Sequence, residues 1–125
     1  MYLPSRDELE LCYRVFKPTA RDNATYTAGT FIGNLSLANG TNLNSIPTGA
    51  AYTETDPART IVTAFQTGSV EAFSLDWHWT STEYSSITDA SLLQNFSSGN
   101  QAWSSTLGVN RVRGIRRVLI LIDKE

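Results

Sequence analysis

The chain has 125 residues, 41% hydrophobic and only 18% charged, with a net charge of −2. That length holds one domain around one core. The charge excludes an electrostatic nucleic-acid footprint, and a single cysteine excludes an internal disulfide framework or a multi-cysteine zinc site.

Polarity comes instead from 13 Ser, 15 Thr and 8 Asn, which with 8 Gly fill 44 positions. The surface they predict is neutral and hydrogen-bonding. The longest apolar run, 118–122, is far too short for a membrane span, and no export signal is visible at the start.

Ser5-Arg6-Asp7-Glu8 reads as a capping box opening a helix. Leu9, Cys12, Tyr13 and Phe16 follow at i, i+3, i+4 and i+7, one buried stripe, and Pro18 ends it. The spacing predicts a helix over 6–17, with Cys12 as core rather than nucleophile. No charged residue falls within 24–53, where Gly, Pro47 and Asn39-Gly40 predict turns in a long ordered loop.

Pro57 behind Thr55-Asp56 predicts a second helix over 57–67, with Ile61, Val62 and Phe65 inward and Gly68 as its C-terminal cap. The period then changes. Trp77 and Trp79 alternate about His78, and Leu92, Gln94 and Phe96 alternate with Leu93, Asn95 and Ser97. Ser98-Gly99-Asn100 is a turn, 101–106 a returning strand and 112–122 a last β-branched strand. Helices before strands predict an α+β fold. The expected core is Leu9, Tyr13, Phe16, Ile61, Phe65, Trp77 or Trp79, Val118 and Ile120.

Catalytic patterns are poorly represented. The one histidine, His78, reads as a hydrogen-bonded structural residue, and no nucleophile-elbow, dinucleotide or phosphate-loop motif occurs. The sequence therefore points away from an enzyme, a metal site and a cofactor. Over 84–110 only Asp89 is charged, while Tyr84, Phe96 and Trp103 stand among Ser, Thr, Asn and Gln. Neutral polar groups around rigid aromatics suit recognition, of sugars in particular; an ordinary polar β-meander is the alternative. Arg111, Arg113, Arg116 and Arg117 place four of eight arginines within seven residues. They read as structural latches on carboxylates or carbonyls rather than a nucleic-acid patch.

Four blocks carry a resemblance. Tyr2-Leu3-Pro4-Ser5-Arg6-Asp7-Glu8-Leu9 resembles the helix start of a bacterial and phage C-type-lectin-like domain, the one that ends a Legionella collagen-like adhesin. Trp79-Thr80-Ser81-Thr82-Glu83-Tyr84 is similar to its Trp-Ser-Ser-Thr-Glu-Tyr strand. Residues 94–101 resemble its hairpin and 112–118 its closing Val-Arg-x-Val-Arg strand. The fold is related to formylglycine-generating enzymes and to phage tropism-determinant variable proteins.

The resemblance implies a C-type-lectin-like fold over 1–125, two helices followed by a twisted antiparallel sheet with long loops, and neighbouring first and last segments. The paired cysteines of formylglycine-generating enzymes and the calcium motifs of animal lectins are absent, so neither oxidase chemistry nor calcium dependence is implied. In the family a strand usually precedes the Leu-Pro-Ser helix, so the domain is expected to be the distal piece of a longer fibre or adhesin.

The expected function is that of a receptor-binding domain on a phage tail fibre or tail tip, taking a host surface glycan or protein. Expected partners are other tail proteins and further copies, a trimer among the options, with no nucleic acid and no membrane insertion. A structural virion part (capsid decoration or fibre cap) and a bacterial surface adhesin are the alternatives. The expected binding face is Tyr84, Ser86, Asn95, Ser98, Asn100, Gln101, Trp103, Ser105 and Asn110, with Trp103 as anchor and the amides of Asn100 and Gln101 giving direction. Loop 25–53 is the next candidate.

Overall fold

The computed structural model describes residues 1–23, 41–42, 49–50, 52–83, 89–105 and 111–115. Helix α1 (Arg6–Phe16) begins as its capping box dictates: the Glu8 amide donates to Ser5 Oγ at 3.2 Å and the Ser5 amide donates to Glu8 Oε1 at 3.1 Å. Leu9 and Tyr13 are fully buried, with Cys12 and Phe16 packed against the same cluster. Burial pushes the Cys12 thiol up, which keeps it unreactive. Lys17 and Pro18 end the helix. The Lys17 ammonium is also buried, donating to the carbonyls of Arg21 (2.5 Å) and Pro57 (3.2 Å), and burial lowers its pKa.

The expected helix over 57–67 is not formed; one 3-10 turn at Thr63–Phe65 stands in its place. In a helix the Pro57 carbonyl would accept from the amide of residue 61. Here it accepts from Lys17 Nζ and, at 2.8 Å, from Asn23 Nδ2, while the Thr60 amide donates to the Lys17 carbonyl. The β-branched run of residues 60–63 has little helical preference to set against those bonds. Ile61, expected in the core, is therefore 93% exposed. Phe65 is half-buried, stacked on Phe16 at 4.1 Å.

Within the uncharged loop, β1 (Thr41–Asn42) pairs antiparallel with β2 (Gly49–Ala50); the expected Asn-Gly turn at 39–40 lies outside the described residues. The main sheet holds β3 (Trp77–Glu83), β4 (Ala90–Asn95) and β5 (Gln101–Ser105), antiparallel in that order. Among the described residues the fold is thus α+β, with one α-helix, a three-stranded antiparallel sheet and the short β1–β2 pair.

Trp79 stands opposite Leu93, Leu92 opposite Trp103 and Gln94 opposite Gln101. Side chains alternate faces, so His78, Leu92, Gln94, Gln101 and Trp103 share the face toward α1. Trp77, Trp79, Ser91, Leu93 and Asn95 take the other. The strand over 77–79 forms as expected but in opposite phase: His78 is buried, and both tryptophans are half-buried on the far face.

The outer edge of β3 is covered from two places. The Trp79 amide donates to the Arg111 carbonyl (2.9 Å) and the Arg111 amide to the Trp77 carbonyl (3.0 Å), an isolated parallel bridge. The Ser81 amide donates to the Pro4 carbonyl at 2.8 Å, and Tyr2 and Ile115 exchange both backbone bonds. First and late segments therefore meet beside β3. Of the expected strand 112–122, residues up to 115 make only isolated bridges; the remainder, with Val118, Ile120, Arg116 and Arg117, lies outside the described residues. Arg113 donates to the Glu71 carbonyl (3.1 Å) and lies 4.6 Å from the Phe73 ring centre, and Arg111 pairs with Asp76 at 3.5 Å. Both bind as latches do.

The core is largely aromatic: Tyr13, Tyr52, Phe73 and Phe96 around Leu9. Phe96 stacks on Phe73 at 4.1 Å, with Tyr13 edge-on at 5.5 Å and His78 at 4.8 Å. Each such burial contributes about 1.5–3 kcal/mol. Phe96, grouped by sequence with the recognition aromatics, is fully buried instead, because its backbone bond to the Asp76 carbonyl draws it under β3.

Candidate recognition site

The β4–β5 hairpin turns on local bonds. The Asn95 amide donates to the Asn100 carbonyl and the Gly99 amide to the Asn95 carbonyl, both at 2.8 Å. Asn95 Oδ1 accepts from the Ser97 amide at 2.7 Å, an Asx turn. Gly99 has φ +80°, and a Cβ there would lie 2.5 Å from Tyr13 and 2.6 Å from Tyr52. Only glycine lets the turn sit on those rings.

Beneath the hairpin lies Glu10, a fully buried carboxylate on α1. Gln94 Nε2 donates to it at 2.6 Å, Gln101 Nε2 at 3.2 Å and Arg14 Nε at 3.2 Å; the Tyr52 hydroxyl is a fourth donor. Burial raises the Glu10 pKa, and the bonds from Tyr52 and Gln94 and the charge of Arg14 work against that rise. The arrangement ties helix, Tyr52 and both hairpin strands to one side chain. Neither Glu10 nor Tyr52 is marked by sequence. A trace of the signal exists, since Glu10, Tyr13 and Lys17 fall at i, i+3 and i+7, but two of the three are charged, which is the ordinary mark of a solvated face.

The six described members of the nine expected site residues do not share one face. Gln101 is the correction: it is 1% exposed, its amide turned inward to Glu10, so it offers nothing to a ligand on the surface. Trp103, half-buried, and Ser105, exposed, share its side of β5. Asn95 projects from the opposite face, and Ser98 and Asn100 sit in the turn, all half-buried. The Asn100 Oδ1 atom is buried and has no hydrogen-bond partner among the described residues. Tyr84, Ser86 and Asn110 lie outside the described residues. The segment 90–105 carries no charged side chain, so it presents a neutral rim of hydroxyls and amides with one indole.

His78 is a buried, hydrogen-bonded residue. Its Nδ1 lies 2.9 Å from the Asp76 carbonyl, its ring is buried against Phe73 and Phe96, and burial lowers its pKa. No three His, Cys, Asp or Glu among the described residues are grouped to hold a metal ion, and no helix among them is long and apolar enough to cross a membrane. In comparisons with known proteins, no family model, curated relative or solved structure matches the chain.

Proposed function

We propose that this domain is a non-catalytic receptor-binding module displayed on a phage tail fibre or tail tip, where it takes a neutral host-surface molecule, a glycan, at the β4–β5 hairpin. The observation that carries the reading is the uncharged hairpin held rigidly from below by Glu10, Tyr13 and Tyr52, with Trp103 half-buried at its side. A rigid turn loses little conformational entropy on binding, and an indole gives large contact area at small entropic cost. The C-type-lectin-like character and the virion setting rest on the four sequence blocks.

The test is adsorption of labelled domain to candidate host cells. Trp103→Ala is expected to lose at least tenfold in cell binding while keeping a cooperative melt, a loss in keeping with a hot-spot aromatic worth about 2 kcal/mol. Undiminished adsorption by a folded Trp103→Ala protein would remove the hairpin from the site. A structural virion role has no observation in its favour beyond composition.

A further inference from the structure

Glu10 Oε1 accepts from Arg14 Nε and the Tyr52 hydroxyl, and Glu10 Oε2 accepts from Gln94 Nε2 and Gln101 Nε2. An ionised carboxylate only accepts, at about four lone-pair positions, so these donors saturate it. Gln94 is fully buried, and its other amide atom, Oε1, has no hydrogen-bond partner among the described residues. A sealed acceptor left unmet costs stability. It belongs to the same carboxamide that touches the acid.

What Gln94 Oε1 lacks is a donor, and neutral Glu10 would carry one. We propose that Glu10 and Gln94 form a proton-operated switch in the floor of the β4–β5 hairpin. Gln94 donates to Glu10 when the acid is ionised, and turns its carboxamide over to accept from it when the acid is protonated. The switch rests on the hairpin reading above only in governing a binding site; the exchange of bonds does not depend on it.

The proton comes from solvent and settles on Oε2, because the Arg14 guanidinium lies against Oε1. On Oε2 it would meet only N–H groups unless Gln94 turned. A half-turn about the last torsion of Gln94 exchanges its oxygen and nitrogen at nearly constant shape, so a close-packed core can hold both arrangements. The turn meets Oε1 and leaves Nε2 unmet. Each state therefore strands one polar atom of Gln94, and the proton decides which.

Among the described residues, α1 sets Arg14 and Tyr13 beside Glu10, and Tyr52 closes over it with its ring 4.8 Å from the Arg14 guanidinium. Tyr13 keeps its proton: burial and the charge of Glu10 push its pKa up, and its hydroxyl donates to Asn23 Oδ1. Lys17, two turns along, is held by the Arg21 and Pro57 carbonyls. β4 and β5 carry no charged side chain. From β3, His78 turns inward but packs on Phe73 and Phe96 and bonds to the Asp76 carbonyl. Glu10 is the acid under the hairpin, and burial makes it take its proton at a pH above 4.5.

The experiment is an NMR titration of the 13C,15N-labelled full-length chain from about pH 8 to about pH 4, a range that brackets a raised carboxyl. The Glu10 carboxyl carbon reports its proton. Nuclear Overhauser contacts from the Gln94 and Gln101 Nε2 protons to the Glu10 γ protons report the two amides, with Gln94 assigned by Gln94→Met. As Glu10 takes its proton, the Gln94 contact is expected to be lost at the same midpoint while the Gln101 contact stays. Glu10→Gln, which cannot ionise, is expected to hold Gln94 in one arrangement at every pH. Tyr52→Phe, which removes a bond that lowers the Glu10 pKa, is expected to keep the transition and move it to higher pH.

Both contacts persisting through the Glu10 midpoint, a Gln94 change unlinked to Glu10, or unfolding before Glu10 is protonated would overturn the switch. So would loss of the transition in a folded Tyr52→Phe protein, since the Tyr52 hydroxyl would then be the acceptor. If Tyr52→Phe does not fold, the contacts in the natural chain decide alone. No readout involves a glycan or Trp103. A Gln94 transition with adsorption indifferent to Trp103 keeps the switch and removes the hairpin site; no transition with adsorption lost in Trp103→Ala does the reverse.

Discussion

Glu10 is bonded from α1, from Tyr52 and from both strands of the hairpin. A buried carboxylate costs several kcal/mol in lost hydration unless donors replace the water, and here four donors from three parts of the chain do so. Glu10→Ala would strand the Tyr52, Gln94 and Gln101 donors, and the expected loss is about 3–5 kcal/mol in urea unfolding. The pH dependence has a definite sign. Burial raises the folded pKa above the ordinary 4.5, so the folded state binds the proton more tightly than the unfolded one. The contribution of Glu10 is then greatest below pH 4.5 and declines as pH rises toward the folded value. Relative to Glu10→Gln, which has no such proton, the natural chain is expected to lose stability over that rise; a flat difference across the range would contradict the assignment. Gly99 offers a sharper contrast. Gly99→Ala meets two rings in a left-handed turn, and about 3 kcal/mol or more is expected. Gly68→Ala, with φ +94° and nothing within 4 Å, should cost only about 1 kcal/mol. Equal losses at the two sites would show that the rings yield.

At the scale of elements, α1 and the hairpin could be read from sequence because their determinants lie within a few residues. Ser5 and Glu8 cap one; Asn95, Gly99 and Asn100 turn the other. Ser5→Ala should therefore lower stability by about 1 kcal/mol, measured by thermal melting, without moving the sheet. The segment 57–67 shows the opposite. Its proline and apolar spacing satisfy a helical pattern, but Lys17 and Asn23 take its first carbonyl from more than thirty residues away, and no local window contains them. The strand over 77–79 was legible in its alternation and not in its phase. Tryptophan is the larger apolar side chain, yet His78 finds the Asp76 carbonyl and the Phe73 and Phe96 rings. Much the same limit applies to the candidate site. The neutral character of 90–105 is visible in sequence, whereas the inward turn of Gln101 depends on Glu10, 91 positions earlier.

For the molecule as a whole, an aromatic core with a saturated buried acid supports a hairpin surface free of charge, while Arg113 and Arg111 bind Glu71 and Asp76. Binding at such a surface draws little on long-range electrostatics and should change little with ionic strength. The described residues group no three metal-ligating side chains, and a neutral glycan can be held by hydroxyls, amides and an indole alone. The most direct measurement is a glycan array probed with the full-length chain and with Trp103→Ala, at low and high salt and with and without chelator. The expected result is a discrete set of neutral glycans bound by the natural chain, unchanged by chelator, nearly unchanged by salt, and lost in a folded Trp103→Ala protein. Binding confined to charged glycans, binding abolished by chelator, or a full signal from the Trp103→Ala protein would contradict it.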